Sequence, residues 1–275
     1  MNTRLAIILG LSLIATAAWA QSPTSSGATN AEVLLAKSHQ TFYAAGADMK
    51  ADVVMELITG DGKQRTRALT MLRLNAPGGS EQKYFLYFRE PSDVRRMTFL
   101  VWKYPEKEDN RWIYIPAVDL VRRVAASDNR SSFAGSDFTY EDISGRDISA
   151  DTHTLLREEK RGNNDCYVVQ STPKETLDYV RRIAWIDKTT YLPLKEEYYD
   201  LQNELARVFT ADKIENVSSG DGSGVIPMVM KRTMLNVKSG HRTEVTFKSV
   251  SFNVGLTDDI FTERYLRQAP AKWIQ

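Results

Sequence analysis

Residues 49–74 read MKADVVMELITGDGKQRTRALTMLRL, and this stretch decides the fold class. Val53, Met55 and Leu57 alternate with Asp52, Val54 and Glu56, the two-residue period of a half-buried strand. Gly60-Asp61-Gly62-Lys63 is a strong turn, after which Ala68, Thr70, Leu72 and Leu74 fall on one face of a returning strand. The unit is an antiparallel hairpin.

The pattern extends in both directions. Lys83–Arg89 and Met97–Tyr104 are apolar or aromatic on both faces, and Arg111–Ile115 follows a polar turn. Further strands are expected at Thr152–Lys160, Cys166–Ser171, Val180–Ile186, Leu192–Tyr199, Leu205–Glu215, Val225–Val237 and His241–Phe252. Polar turns join them, with almost no intervening helix, so the chain reads as a meander of roughly ten or eleven strands rather than an alternating βα fold. Such a sheet must manage its edges, by closing or by curling around something. A helix is expected from Asn30 to Ala44 with Asn30 as its cap, and a shorter one over Ser136–Ile143 with Ser136 as cap. A last short helix is expected after Thr257.

Residues 1–20, MNTRLAIILGLSLIATAAWA, carry one charge, Arg4, then an apolar run, then Ala18-Trp19-Ala20 as a cleavage pattern. This is a secretory signal peptide, cut before Gln21. Residues 21–29, QSPTSSGAT, form a flexible N-terminal segment, and residues 30–275 are expected to be a single domain. The chain carries a net charge of +1, which falls to zero once Arg4 is removed, so it lacks the basic field of a general nucleic-acid binder. Cys166 is the only cysteine, so no internal disulfide forms. It begins the apolar run 166–169 and reads as a buried small hydrophobe. Export without disulfides, behind a short bacterial-type leader, implies the Gram-negative periplasm as a soluble protein.

Motifs for catalysis are missing. His39, His153 and His241 are far apart and lack metal-site spacing. No nucleophile elbow, P-loop or dinucleotide fingerprint occurs, and Gly220-Asp221-Gly222-Ser223-Gly224 sits between strands as a hairpin loop. The expectation is therefore no catalytic residue, no metal and no cofactor. Aromatic residues crowd between Tyr84 and Tyr114, where they serve either as core or as a cavity wall that binds acyl or polycyclic ligands by area. The cavity candidates are Tyr87, Phe99, Trp112, Tyr114, Phe133 and Phe138. Arg122, Arg123, Arg181 and Arg182 are candidates for headgroup or partner contacts, since guanidinium groups match phosphate oxygens.

The run Arg111-Trp112-Ile113-Tyr114-Ile115-Pro116 continues through Val121-Arg122-Arg123-Val124. With Ser131-Ser132-Phe133-Ala134-Gly135-Ser136-Asp137-Phe138-Thr139-Tyr140-Glu141-Asp142 and the closing Leu256–Thr262, it resembles the outer membrane lipoprotein-sorting protein family of the LolA-like superfamily. The resemblance spans about residues 30–268. It implies a mainly β fold, a strongly curved antiparallel sheet forming an unclosed β-barrel with covering or plugging helices. The first helix and the segment 133–143 would be the cover. It also implies a periplasmic carrier of a lipid or lipoprotein acyl chain between the inner and outer membranes. An inner-membrane transporter of the resistance-nodulation-division (RND) type would be its partner, with an outer-membrane acceptor. Two alternatives stand beside it: a periplasmic adaptor of such a transporter with no cargo of its own, and an envelope lipid-modifying enzyme built around His153 or Glu141-Asp142.

Overall fold

The computed structural model describes residues 30–77, 81–105 and 107–274; the leader and the segment 21–29 lie outside them. In chain order the strands are β1 (Asp48–Ile58), β2 (Gln64–Asn75), β3 (Gln82–Glu90), β4 (Thr98–Lys103), β5 (Asn110–Ile115), β6 (Leu120–Arg123) and β7 (Asp151–Arg161). They continue with β8 (Asn164–Pro173), β9 (Tyr179–Asp187), β10 (Pro193–Asp200), β11 (Leu205–Ser218), β12 (Val225–Asn236) and β13 (Arg242–Phe252). All thirteen form one antiparallel sheet, ordered β6-β5-β4-β3-β2-β1-β13-β12-β11-β10-β9-β8-β7. Successive strands pair through short turns within each arm, and β1 against β13, with Met55 opposite Val245, joins the two arms. The strand missed by sequence reading is β6, whose residues Leu120, Arg122 and Arg123 are exposed and so show no buried face.

The expected unclosed, strongly curved barrel is not what forms. The sheet is open, with β6 and β7 at opposite ends of the strand order and unpaired with each other. A four-residue β6 cannot cover the eleven-residue edge of β7. The connection between them, residues 124–150, instead fills one sheet face with its own side chains. The free edges are protected by the shortness of β6 and by charge along both strands.

Strand alternation divides the sheet into two buried faces. On the inner face Val53, Met55, Leu69, Met71, Leu86, Phe88, Phe99, Val245 and Phe247 form one cluster. On the outer face Leu72, Phe85, Leu100, Trp112 and Tyr114 form another, covered by the C-terminal segment through Leu256, Ile260, Phe261 and Leu266. Each such side chain contributes about 1.5–3 kcal/mol by leaving water. That cover is fastened by polar contacts. Thr98 Oγ1 donates to the Leu266 carbonyl at 2.7 Å, and Trp102 Nε1 donates to that of Phe261 at 2.7 Å. The Asp48 carboxylate accepts from the N–H groups of Val254, Gly255 and Leu256. The segment itself is one 3₁₀ turn (Asp258–Ile260) followed by α3 (Arg264–Arg267) and α4 (Ala271–Ile274), rather than the one short helix expected after Thr257.

Helix α1 (Ala31–Tyr43) begins as expected, with Asn30 Oδ1 accepting from the Glu32 N–H at 2.9 Å. Its Ala31, Leu34 and Leu35 pack on Val169, Ala184 and Ile186, and its Phe42 joins the inner cluster. Helix α2 (Tyr140–Ser144) starts later than expected. Thr139 is the cap, in a reciprocal box with Asp142, because Ser136 is already committed to the carbonyls of Phe133 and Phe138.

Candidate functional site

The segment 131–144 builds the site. Ser132 Oγ donates to the Ser136 carbonyl at 2.6 Å, and the Phe133 N–H donates to Phe138 at 2.8 Å, closing a compact loop. Ala134 and Gly135 take positive φ at its tip. The loop points Phe133, Phe138 and Tyr140 at the inner sheet face. Phe133 lies 5.2 Å from Phe99 and 5.8 Å from Phe88 between ring centroids, and Tyr140 lies 5.3 Å from Phe99. These rings cover the apolar face as a stopper.

Around the stopper runs a lattice of charge. Asp142 accepts from Arg207 at 2.9 Å, and Arg130 Nη1 sits 3.8 Å away. Burial alone would raise the Asp142 pKa, but the two guanidinium groups, with hydrogen bonds from Arg207 and from the Thr139 backbone, hold it down at about 2. Glu141 lies between Arg130 at 2.9 Å and Arg146 at 3.0 Å. Asp137 accepts from His241 Nδ1 at 2.6 Å and from Thr243 Oγ1 at 2.8 Å, tying the loop to the start of β13. The carboxylates of Glu141-Asp142 are thus consumed by arginines. His153 is likewise committed, bonded to Ser171 Oγ at 2.9 Å and to the Ile148 carbonyl at 2.8 Å. Among the described residues no group of three or more His, Cys, Asp or Glu could hold a metal ion.

The six aromatic candidates divide between the two faces. Phe99, Phe133 and Phe138 meet in the inner cluster. Tyr87, Trp112 and Tyr114 lie in the outer cluster beneath the C-terminal segment. Of the arginine candidates, Arg122 and Arg123 are exposed on the β6 edge. Arg181 stacks on Tyr199, 3.5 Å from the ring centroid, while Arg182 pairs with Glu196 at 3.2 Å beneath α1. Cys166 is buried and unpaired by any disulfide.

Of the small cavities beneath the stopper and α1, two share a wall. One, of about 30 Å³, is lined by Val53, Met55, Leu69, Phe133, Phe138 and Asp142 among others. The other, of about 40 Å³, is bounded by Phe42, Tyr43, Met49, Tyr84 and Phe252. Met71, Ile143, Arg232 and Phe247 line both. A larger hollow of about 450 Å³ on the far side of α2 is lined by charges of both signs, including Lys103, Asp109, Arg111, Glu141 and Arg146.

Sequence reasoning missed two residues here, Arg73 and Arg232. Arg73 Nη1 donates to the Tyr43 carbonyl at 2.8 Å and Nη2 donates to that of Ala45, which binds β2 to the end of α1. Their signal was parity. Arg73 follows Leu69 and Met71 at core-facing positions of β2, and Arg232 precedes Met234 in the same way on β12.

A family model described only as an uncharacterized protein matches residues 80–268. The chain is similar to a DUF1329 family protein from Desulfovibrio piger, at 28% identity and TM-score 0.77, over 86% of this chain and 97% of that one. It is similar to a protein described as an outer membrane lipoprotein-sorting protein domain from Vibrio parahaemolyticus, at 26% identity and TM-score 0.78, over 86% and 98% of the two chains. The chain belongs to the outer membrane lipoprotein-sorting family. A LolA superfamily protein from Nitrosomonas europaea shares the fold of this lipoprotein-sorting family member at 18% identity and TM-score 0.65, over 86% of this chain and 100% of that one. No curated protein matches the chain. The lipoprotein-sorting relative is named for sorting and not for catalysis. In this lipoprotein-sorting family member, no helix among the described residues is long and apolar enough to cross a membrane.

Proposed function

We propose that the chain is a soluble periplasmic carrier, released by cleavage before Gln21, whose residues 30–275 act as one lipid-binding domain. It takes a lipid or a lipoprotein acyl chain from the inner membrane, shields it against the inner sheet face, and delivers it toward the outer membrane. An RND-type inner-membrane transporter is the donor in this scheme, and an outer-membrane receptor the acceptor. The observation that carries the proposal is the stopper. Phe133 and Phe138 are supplied by a short hydrogen-bonded loop, not by a strand, so they can leave the apolar face without breaking the sheet. Membership in a lipoprotein-sorting family supports the cargo class.

The cavities of about 30 and 40 Å³ are far below the roughly 300–1,000 Å³ of a ligand pocket, so uptake needs the stopper to move. The same filled face favours a second reading, in which the protein is an adaptor of the transporter and holds no cargo. A cross-link separates the two. Asp137→Cys and Thr243→Cys, in a Cys166→Ala background, would pin the loop to β13 where these residues already touch. With the cross-link verified by mass, a carrier loses at least tenfold in the rate of fluorescent phospholipid pickup from vesicles and recovers it on reduction. Pickup unchanged by the cross-link would contradict the moving stopper, and no pickup by any form would favour the adaptor.

A further inference from the structure

A buried guanidinium normally has a carboxylate or a set of carbonyls to compensate its charge, because an unpaired ion in an apolar setting is costly. Arg207, Arg130, Arg146 and Arg182 each have carboxylate partners, and Arg73 has two carbonyls. Arg232 has neither. Among the described residues it makes no hydrogen bond and no ion pair, and its Nε is buried without a partner. Three aromatic rings from three separate elements surround it: Phe247 of β13 at 4.9 Å, Phe42 of α1 at 5.2 Å and Phe138 of the stopper at 5.9 Å. Cation–π contact of this kind offsets part of the desolvation of a guanidinium but leaves its hydrogen-bonding fork unused.

The cavities on either side sharpen the case. The one bounded by α1 is lined by Arg73 and Arg232 and by no carboxylate. In the one beneath the stopper the single carboxylate is Asp142, already held by Arg207 and Arg130. At about 30 and 40 Å³, each has space near that of one water molecule, so head and chain alike enter only as the stopper lifts, and the cavities mark where the head would come to rest.

We propose that Arg232 is the receptor for the anionic headgroup, a carboxylate or phosphate monoester, of a single-chain amphiphile that enters head first beneath the stopper. The fork of Arg232 takes two oxygens of the head, the three rings sheathe its first carbons, and the tail lies along the Val53–Leu69–Leu86 face vacated by Phe133 and Phe138. Burial, which draws the Arg232 pKa below the usual guanidinium range, is then offset by the incoming charge.

This inference rests on the carrier reading, and one titration distinguishes their failures. Dodecanoate and methyl dodecanoate share a chain and differ in charge. Wild-type protein should bind dodecanoate at least tenfold more tightly than the ester. Arg232→Leu should raise the dodecanoate Kd to that of the ester while leaving ester binding within threefold. Equal binding of acid and ester by wild type, or a preference that survives in Arg232→Leu, would overturn the headgroup site alone; binding of neither would overturn the carrier reading and this site with it. Inorganic phosphate at millimolar concentration should not displace dodecanoate; displacement at the same concentration as the amphiphile would mark a free-anion site and overturn the proposal. A wild-type measurement covers a misfolded variant. The carboxyl carbon of bound [1-¹³C]dodecanoate should titrate at lower pH than in water, and a raised midpoint would overturn the assignment.

Discussion

Asp142 of α2 accepts from Arg207 of β11 at 2.9 Å, and only 10% and 12% of the two side chains are exposed, so the stopper is fastened to the sheet by a largely buried ion pair. Further polar points are the Thr139–Asp142 capping box, the Glu141 pairs with Arg130 and Arg146, and Asp137, which accepts from His241 and Thr243. A segment held this way is secured at a few polar points and can still be lifted from the apolar face it covers.

Removing one partner of the pair should leave the other charge unpaired. Asp142→Asn is expected to lower the unfolding free energy by about 3–5 kcal/mol, read by urea denaturation. The pair also sets an acid limit. With its pKa held at about 2 against an ordinary 3.8, ionised Asp142 contributes roughly 2 kcal/mol, complete above about pH 4 and lost as pH falls toward 2. Stability measured across that window should drop less steeply in the variant than in the wild type, since Asp187, Asp200 and Asp221, also held below the ordinary range, remain in both.

His39 gives a second, separate pH window. Burial, with Lys103 adding to it, lowers its pKa from 6.5 to about 4. Between those values the unfolded chain takes up a proton that the folded chain refuses, so stability declines by about 3 kcal/mol as pH falls from 6.5 to 4. In a His39→Gln protein the decline over that interval should largely vanish; an unchanged slope would assign it to other groups.

Gly145 ends α2 at φ +80°, and a Cβ there would come within 2.9 Å of the Tyr43 ring and 3.1 Å of His39. Gly145→Ala therefore meets both a strained backbone and a clash with α1. A loss of about 1–3 kcal/mol is expected, seen as a lower Tm. Gly162→Ala, at a turn where nothing lies within 4 Å, is the comparison that isolates the backbone cost.

How much of this was legible beforehand follows from which forces act locally. The strands and hairpins were readable because alternation and turn chemistry are local, as in 49–74, where Met55 does pair opposite Arg67 across the expected turn. The open sheet was not readable, since closure depends on whether β6 and β7 meet, and β6 carries no hydrophobic period at all. The stopper's aromatic residues stood out in sequence. The face each strand aromatic points to did not, and the candidates accordingly fall on both sides: Phe99 inside, Trp112 and Tyr114 outside. Arg73 and Arg232 were passed over because a charge at a core-facing position looks like an interruption of a strand until its neighbours are known.

Phe133 is the stopper's most buried ring, at 1% exposure. Phe133→Ala should cost about 3–5 kcal/mol if the cavity it leaves does not collapse. If the loop instead detaches, the loss will be smaller and the amides of residues 131–138 will exchange with deuterium far ahead of those in β1 and β2. Either pattern, read by hydrogen exchange, reports how independently the stopper opens.

The most direct test is native mass spectrometry of the mature protein drawn from its own periplasm, with the bound species identified from the intact complex. A carrier is expected to retain one lipid per chain, lost in a folded Met71→Asp variant, which places a charge on the inner sheet face that lines both cavities. Protein that is repeatedly empty, and that takes up no lipid from vesicles, would contradict the carrier function and leave the adaptor.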